Sequence, residues 1–144
     1  AVLERASPML EGKGSFHWRK PLFDRVYTQP MPGIQAPQDL TNRYGKPFLE
    51  WLGSLENRDF TPFCGTTITP LEIYYTAEHE SVVHLDDLLL RRVRLGLVHR
   101  EGGAACLPHL KERLQYIMNW SELDWNREVD RYLRIIRESY SIPG

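Results

Sequence analysis

The stretch Thr69–Gly96 has the sequence TPLEIYYTAEHESVVHLDDLLLRRVRLG, and it predicts two helices with a break near Ser81–His84. Thr69 is placed to accept a hydrogen bond from the third helical N–H, Pro70 suits the first helical position, and Glu72 completes a capping box. Helical spacing then puts five residues on one side of this first helix: Leu71, Tyr74, Tyr75, Glu78 and Val82. Thr69, Pro70 and Glu72 thus predict that the first helix starts at Pro70.

The second predicted helix carries acids at its start and arginines at its end. Asp86–Asp87 lie in the first turn, and Arg91, Arg92 and Arg94 lie in the last, an order that complements the helix dipole. Gly96 is the expected left-handed stop. The apolar residues cover a wide part of the circumference: Leu85, Leu88, Leu89, Leu90 and Val93. A helix with such a wide apolar face is expected at the centre of a core.

Two further motifs flank this stretch. Upstream lies Asn42-Arg43-Tyr44-Gly45, and downstream lies Met118-Asn119-Trp120-Ser121, followed by Trp125, Val129 and Tyr132. In this order, and with Leu85–Gly96 between them, the motifs resemble the C-terminal helical domain of FAD-dependent glycerol-3-phosphate dehydrogenases and their oxidase relatives. The likeness covers residues 39–140. His84 departs from the pattern, because we expect a small hydroxyl cap at that position in the family.

The resemblance implies that residues 38–144 form a helical cap domain and that residues 1–37 form an arm from a flavin-binding domain. It implies a parent enzyme that uses FAD to oxidise glycerol 3-phosphate to dihydroxyacetone phosphate, with electrons passing to quinone or oxygen. The implied partners are the N-terminal flavin domain of the same chain and, as an option, another subunit. The implied location is cytoplasmic, with peripheral attachment to the inner face of the membrane as an option. Since the chain starts with Ala1 rather than Met, we expect a fragment of a longer protein.

Composition is ordinary for a globular domain. The 144 residues are 42% hydrophobic and 26% charged, with a net charge of −1, so no global field draws the chain to nucleic acid or an anionic membrane. No apolar run approaches the length of a membrane-spanning helix. Cys64 and Cys106 lack metal-type spacing, and we expect two reduced, partly buried thiols.

Proline separates an N-terminal arm from a helical remainder. Residues 1–9 permit a short helix, but five of the ten prolines lie in the first 37 residues, and between Gly12 and Pro37 we expect an extended arm without a regular helix. Beyond the arm we predict helices at 39–44, 48–55, 70–80, 85–95, 107–118 and 122–139. Asn119 is the expected stop of one helix, and Ser121 with Asp124 caps the next. No segment predicts a strand, so the expected fold class is all-α, with five or six helices.

Helical spacing also predicts which residues are buried together. The predicted core contains Leu71, Tyr75, Leu85, Leu88, Leu89, Leu110, Leu114, Ile117, Val129, Leu133 and Ile136.

The acids and arginines of the central stretch permit two interpretations. In the structural one, Arg91 pairs with Asp87 one turn earlier, while Arg92 and Arg94 reach helix-end carbonyls or Glu80. In the functional one, the three arginines clamp a phosphate, a group that the implied substrate carries. We favour a structural ion-pair network of these five residues. We also predict that Glu80, in an apolar neighbourhood, pairs with one of the arginines.

Other patterns are poor candidates for a site. His79 and His84 flank a sequence that resembles a zinc-protease motif, but they are five residues apart, about 140° round a helix. No Gly-x-Gly-x-x-Gly, Ser-His-Asp or Cys-His arrangement is present. We therefore expect no catalytic, cofactor or metal site in this chain, which alone should bind no FAD and be inactive.

An alternative of another class is a free-standing helical interaction module or a helix-turn-helix DNA-binding module. The helices at 107–118 and 122–139 are joined by a short turn, and Arg127, Arg131 and Arg134 share one face of the second. Five acids and four arginines between residues 122 and 138 leave a local charge of −1, whereas a recognition helix is usually more basic. We favour an antiparallel hairpin and no nucleic-acid partner.

Overall fold

The computed structural model describes residues 33–140, so the predicted arm lies outside this range except for residues 33–37. Every regular element within residues 33–140 is helical, which confirms the all-α prediction. The helices are α1 (Gln38–Gly53), α2 (Pro70–His79), α3 (Asp87–Arg92), α4 (Leu95–Val98), α5 (Leu107–Met118) and α6 (Glu122–Ile135). Helix α3 is π-helical, a 3₁₀ segment (Arg100–Cys106) joins α4 to α5, and a π-helical turn (Ile136–Tyr140) extends α6.

Helix α1 consists of two pieces that meet at Gly45. This residue has φ 68° and ψ −151°, a conformation that glycine tolerates and other residues avoid. Pro47 then lies in the first turn of the second piece, where its missing N–H costs little. The predicted stop at Gly45 and restart before Phe48 are both confirmed.

Helix α2 begins as predicted, but its capping box is not formed. Thr69 accepts a hydrogen bond from the Glu72 N–H at 3.2 Å, and Pro70 occupies the first turn. The Glu72 carboxylate does not accept a hydrogen bond from the Thr69 N–H. It is held instead by Arg43 and Tyr44 of α1. The expectation of a capping box is therefore wrong, because a cation from another helix takes the carboxylate.

The N-terminus of the α3 region is capped by two carboxylates. The His84 N–H donates to Asp87 Oδ2 at 3.1 Å, and the Leu85 N–H donates to Glu128 Oε2 of α6 at 3.1 Å. Carboxylates near a helix start also complement the helix dipole. A carboxylate from another helix thus takes part in capping this helix start, where His84 stands in place of the expected hydroxyl residue.

The predicted helix stop at Gly96 is wrong. The chain turns two residues earlier, at Arg94, which has the left-handed values φ 60° and ψ 17°. Gly96 lies inside α4 and is needed for a different reason: a Cβ there would overlap Tyr132 Oη and the side chain of Leu90. The glycine allows α4 to pack closely on α6.

Helices α5 and α6 form the predicted hairpin. Asn119 ends α5 in the left-handed region, with φ 53° and ψ 42°. Ser121 and Asp124 form a complete capping box at the start of α6, in which the Asp124 N–H donates to Ser121 Oγ at 3.2 Å. Both helix-end predictions are confirmed.

The core has two clusters. The larger one joins α2, α3, α5 and α6, and the smaller one joins α1 to α2. Eight of the eleven predicted core residues are buried, and Ile117, Val129 and Leu133 are partly buried, which confirms the helix phases. Leu71 and Tyr75 belong to the smaller cluster, so the predicted set does not form one core.

Cys64 and Cys106 form a disulfide, so the expectation of two reduced thiols is wrong. Their Cα atoms are 6.2 Å apart, although 42 residues separate them in sequence. The loop between α1 and α2 packs on the larger cluster and brings Phe63 against His109 of α5, with ring centroids 6.3 Å apart. This packing places Cys64 beside the start of α5.

Candidate functional site

The acids and arginines singled out in the central stretch form two separate pairs. Arg91 Nη1 lies 2.9 Å from Asp87 Oδ1, and Arg92 Nε lies 4.0 Å from Glu80 Oε2. Arg94, at the left-handed turn, is exposed and belongs to neither pair. Arg91 is 70% exposed, and the Glu80 side chain is 31% exposed, so neither pair is buried.

Asp86, at the start of the second predicted helix, is a buried acid that the sequence did not place in the ion-pair network. The Asp86 side chain is 5% exposed, and its Oδ1 accepts from Arg131 of α6, while its Oδ2 lies 3.5 Å from Arg91. Beside it, Glu128 Oε1 lies 2.9 Å from His84 Nδ1. These groups join α3 to α6, and sequence spacing holds no signal for them because Asp86 and Arg131 are 45 residues apart.

The arginine face of α6 is partly engaged inside the domain. Arg131 is 34% exposed and lies between Asp86 and Glu128. Arg127 lies 4.0 Å from Asp124 on the same helix. This geometry supports the hairpin interpretation of α5 and α6.

A second buried acid, Glu72, forms a cluster with the motif at the middle of α1. Its side chain is 4% exposed, and its Oε1 accepts from Arg43 Nη1 and, at 3.3 Å, from Tyr44 Oη. Tyr44 Oη also lies 3.1 Å from Thr76 Oγ1. Burial raises the pKa of Glu72 above its ordinary value, although Arg43 and Tyr44 act in the opposite direction.

This cluster borders a polar cleft of about 520 Å³ between the first turns of α1, the loop at residues 65–68, and α4. Asp39, Arg43, Glu72 and Val98 are among the residues that line the cleft. Throughout residues 33–140, every buried side-chain nitrogen and oxygen atom has a hydrogen-bond partner. The hydrogen bonds among Arg43, Tyr44, Glu72 and Thr76 therefore account for the buried polar atoms of this cluster.

An apolar cleft of about 670 Å³ lies between α4, the 3₁₀ segment and the end of α6. Tyr132 Oη donates to the Gly102 carbonyl beneath it, and burial raises the pKa of Tyr132. Glu101 and Gly102–Gly103 all have positive φ, between 51° and 73°. A Cβ on Gly102 would overlap Ile136, so the left-handed turn allows the 3₁₀ segment to lie against α6.

Within residues 33–140, no three His, Cys, Asp or Glu side chains are grouped so that they could hold a metal ion. The same residues include no helix with the length and apolar character needed to cross a bilayer.

Comparison with known proteins gives a family. The family model for the C-terminal domain of alpha-glycerophosphate oxidase matches residues 13–124. Glycerol-3-phosphate dehydrogenase 2 of Mycobacterium bovis is 32% identical over 63 residues, which are 44% of this chain and 11% of that protein. The protein of the same name from Mycobacterium tuberculosis gives the same values, and glycerol-3-phosphate dehydrogenase of Mycobacterium leprae is 31% identical over 62 residues, 43% of this chain and 11% of its own length. The match thus spans about a tenth of the curated relatives, and no solved structure matches.

Proposed function

Because the chain belongs to the family of the C-terminal domain of alpha-glycerophosphate oxidase, we propose that it is the non-catalytic helical cap of an FAD-dependent glycerol-3-phosphate dehydrogenase. The parent protein oxidises glycerol 3-phosphate to dihydroxyacetone phosphate, and its flavin passes the electrons to quinone or oxygen. The observation that carries this proposal is the family match over residues 13–124, and the names of the mycobacterial relatives support it.

The proposal assigns FAD and substrate to an N-terminal flavin domain of the same chain. A dinucleotide site of the usual kind needs a strand, a glycine-rich turn and a helix whose N-terminus faces the pyrophosphate. The sequence holds no Gly-x-Gly-x-x-Gly, and residues 33–140 include no strand. Hydride transfer is the chemistry of the flavin, and the cap supplies no part of it.

The buried acids support a structural role for this domain. Glu72 joins α1 to α2 through Arg43, and Asp86 joins α3 to α6 through Arg131. Each carboxylate is already paired with an arginine inside the domain, as a buried charge requires. Such pairs fix the relative positions of the helices and give the cap a defined outer surface.

Partners and location follow from the same proposal. The cap, residues 38–144, contacts the flavin domain, to which residues 1–37 connect it, and contact with a second subunit is a further option. Nucleic acid is not a partner, which agrees with the position of Arg131 between Asp86 and Glu128. The parent acts in the cytoplasm, with peripheral attachment to the inner face of the membrane as an option.

The test uses the full-length protein that contains this chain. We expect it to purify with about one flavin per chain and to reduce a dye when glycerol 3-phosphate is added, whereas glycerol, which lacks the phosphate, serves as the control. A full-length protein with neither flavin nor glycerol 3-phosphate turnover would refute the proposal. Salt-dependent binding to duplex DNA would instead favour the nucleic-acid alternative.

A further inference from the structure

The Cys64–Cys106 disulfide joins the loop before α2 to the start of α5. Cys106 is buried and is the N-cap residue of α5, whereas Cys64 is half-buried within the loop. The backbone at Cys64 is left-handed, with φ 51°, a conformation that residues other than glycine rarely adopt. Such a conformation persists only where the surrounding structure holds it in place, and at Cys64 the bond to Cys106 is one of those constraints.

The part of this loop that carries the disulfide is residues 59–68, which we call the loop segment. Its Phe63 N–H donates to the Ile68 carbonyl at 2.8 Å. Among the described residues 33–140, the hydrogen bonds of the loop segment connect its own members to each other. Apolar packing of Phe60, Phe63 and Ile68, together with the disulfide, therefore attaches the loop segment to the rest of the domain.

The loop segment also forms part of the wall of the polar cleft. Its last four residues, 65–68, line that cleft together with Arg43 and Glu72. The first of these four directly follows Cys64 in the chain, so the disulfide fixes the point where the loop segment reaches the cleft. A displacement of Cys64 therefore alters the wall that lies beside the Arg43–Glu72 pair.

We propose that the Cys64–Cys106 bond is a redox-sensitive latch. The oxidised bond holds the loop segment on α5 as a wall of the polar cleft, and reduction of the bond releases the loop segment while the helices stay folded. Disulfides are uncommon in the cytoplasm, and those present there are usually transient or redox-sensing. This inference rests on the proposed function, because that function supplies the cytoplasmic location.

Two thiols, from one dithiol or from two glutathione molecules, supply the two electrons that open the latch. The first thiolate attacks the sulfur of Cys64, the less buried cysteine, so that a mixed disulfide forms and the Cys64–Cys106 bond breaks. The leaving Cys106 thiolate lies at the start of α5, where the helix dipole favours negative charge, and it then takes up a proton. The second thiolate attacks the reductant's sulfur in the mixed disulfide and releases Cys64, which also takes up a proton. The products are two protein thiols and the disulfide of the reductant.

The experiment equilibrates the full-length protein in glutathione buffers that range from fully oxidised to the thiol-to-disulfide ratio of the cytoplasm. Alkylation followed by mass spectrometry of the peptides that carry Cys64 and Cys106 reports the state of this bond apart from any other cysteine. Both cysteines should become alkylated together within that range.

Amide hydrogen exchange of the same samples reports whether the loop segment is released. Exchange in residues 59–68 should become faster by about tenfold or more on reduction, since loss of a cross-link increases the freedom of the open state. Exchange at the Ser121–Asp124 capping box should not change. Cys64→Ala should exchange at the rate of the reduced wild type in every buffer, whereas Thr67→Ala, at an exposed position of the same segment, should keep the redox response.

Three results overturn the inference. A bond that stays oxidised in the most reducing buffer is a structural cross-link and not a latch. Exchange that stays slow after both cysteines are alkylated shows that apolar packing alone holds the loop segment. Exchange that rises equally at the Ser121–Asp124 capping box shows that reduction unfolds the domain as a whole. The wild type alone decides these results, so a Cys64→Ala variant that fails to fold leaves the test intact. No activity is measured, so absence of flavin or turnover counts against the proposed function and not against the latch.

Discussion

Replacing Arg43 with methionine should destabilise the domain, because it leaves the Glu72 carboxylate buried without its cation. Glu72 is 4% exposed, and Tyr44 Oη, at 3.3 Å, would be its remaining side-chain partner. Methionine keeps most of the aliphatic volume of arginine, so the loss reports the guanidinium rather than the packing.

The expected loss is about 2 kcal/mol. Breaking a buried ion pair by removing one partner costs about 3–5 kcal/mol, but the Arg43 side chain is 53% exposed, so water screens the pair and replaces part of the lost interaction. For a chain of this length, a loss of about 2 kcal/mol lowers the Tm by roughly 7 °C. The double variant Arg43→Met/Glu72→Met should recover much of this loss, since no charge is then left buried.

The loss should depend on pH in a defined direction. Burial raises the pKa of Glu72 above its ordinary 4.5 in the folded state, so just above that pH the folded state binds more protons than the unfolded state. The contribution of Glu72 to stability therefore falls as pH rises through this window. Arg43→Met removes a group that lowers this pKa, so the variant should be close to wild type near pH 4 and clearly less stable near pH 8.

Urea unfolding at several pH values checks this prediction, with Lys46→Met as the control. Lys46 and Glu50 form an ion pair on the same helix, but both side chains are 55% exposed, and its loss should cost less than about 0.5 kcal/mol. If Arg43→Met also lowers the free energy of unfolding by less than about 0.5 kcal/mol at pH 8, the reasoning that the buried Glu72 carboxylate needs its cation is refuted.

Three other predictions concern local structure. Gly96→Ala should lower the free energy of unfolding by about 2 kcal/mol, because its Cβ overlaps Tyr132 and Leu90; a wild-type urea midpoint would contradict the close packing of α4 on α6. Ser121→Ala should cost about 1 kcal/mol by removing the capping box of α6, and a neutral effect in the same assay would show that the cap adds no stability. Reduction of the Cys64–Cys106 disulfide should cost about 4 kcal/mol in the chain-entropy treatment of a loop of this length, and thiol titration of the unreduced protein should find no free thiol, whereas two titrating thiols would rule the bond out.

The helix ends that sequence predicted correctly are those whose partners are close in the chain. Thr69, Asn119 and Ser121 each act within four residues of their own position, so their residue types alone indicate a cap. The burial of the predicted core residues was predicted for the same reason, since helical spacing is a local property of the sequence, but their division into two clusters was not.

The predictions that failed depend on contacts between distant residues. Gly96 is constrained by Tyr132, 36 positions later, and not by the end of its own helix. Arg43 binds the Glu72 carboxylate, which therefore does not form a capping box with Thr69. Cys64 and Cys106 form their disulfide because the loop before α2 packs on α5. Asp86 was predicted only as a first-turn acid of its own helix, because its partner Arg131 is on another helix. Local patterns hold no information about such pairs.

The central claim is that this chain is the cap of a flavoenzyme and not its catalytic part. The most direct test is the visible absorbance spectrum of the purified 144-residue chain after incubation with FAD and removal of unbound flavin. The account predicts a colourless protein with no flavin band, because the sequence holds no Gly-x-Gly-x-x-Gly. A band that corresponds to about one FAD per chain would contradict it.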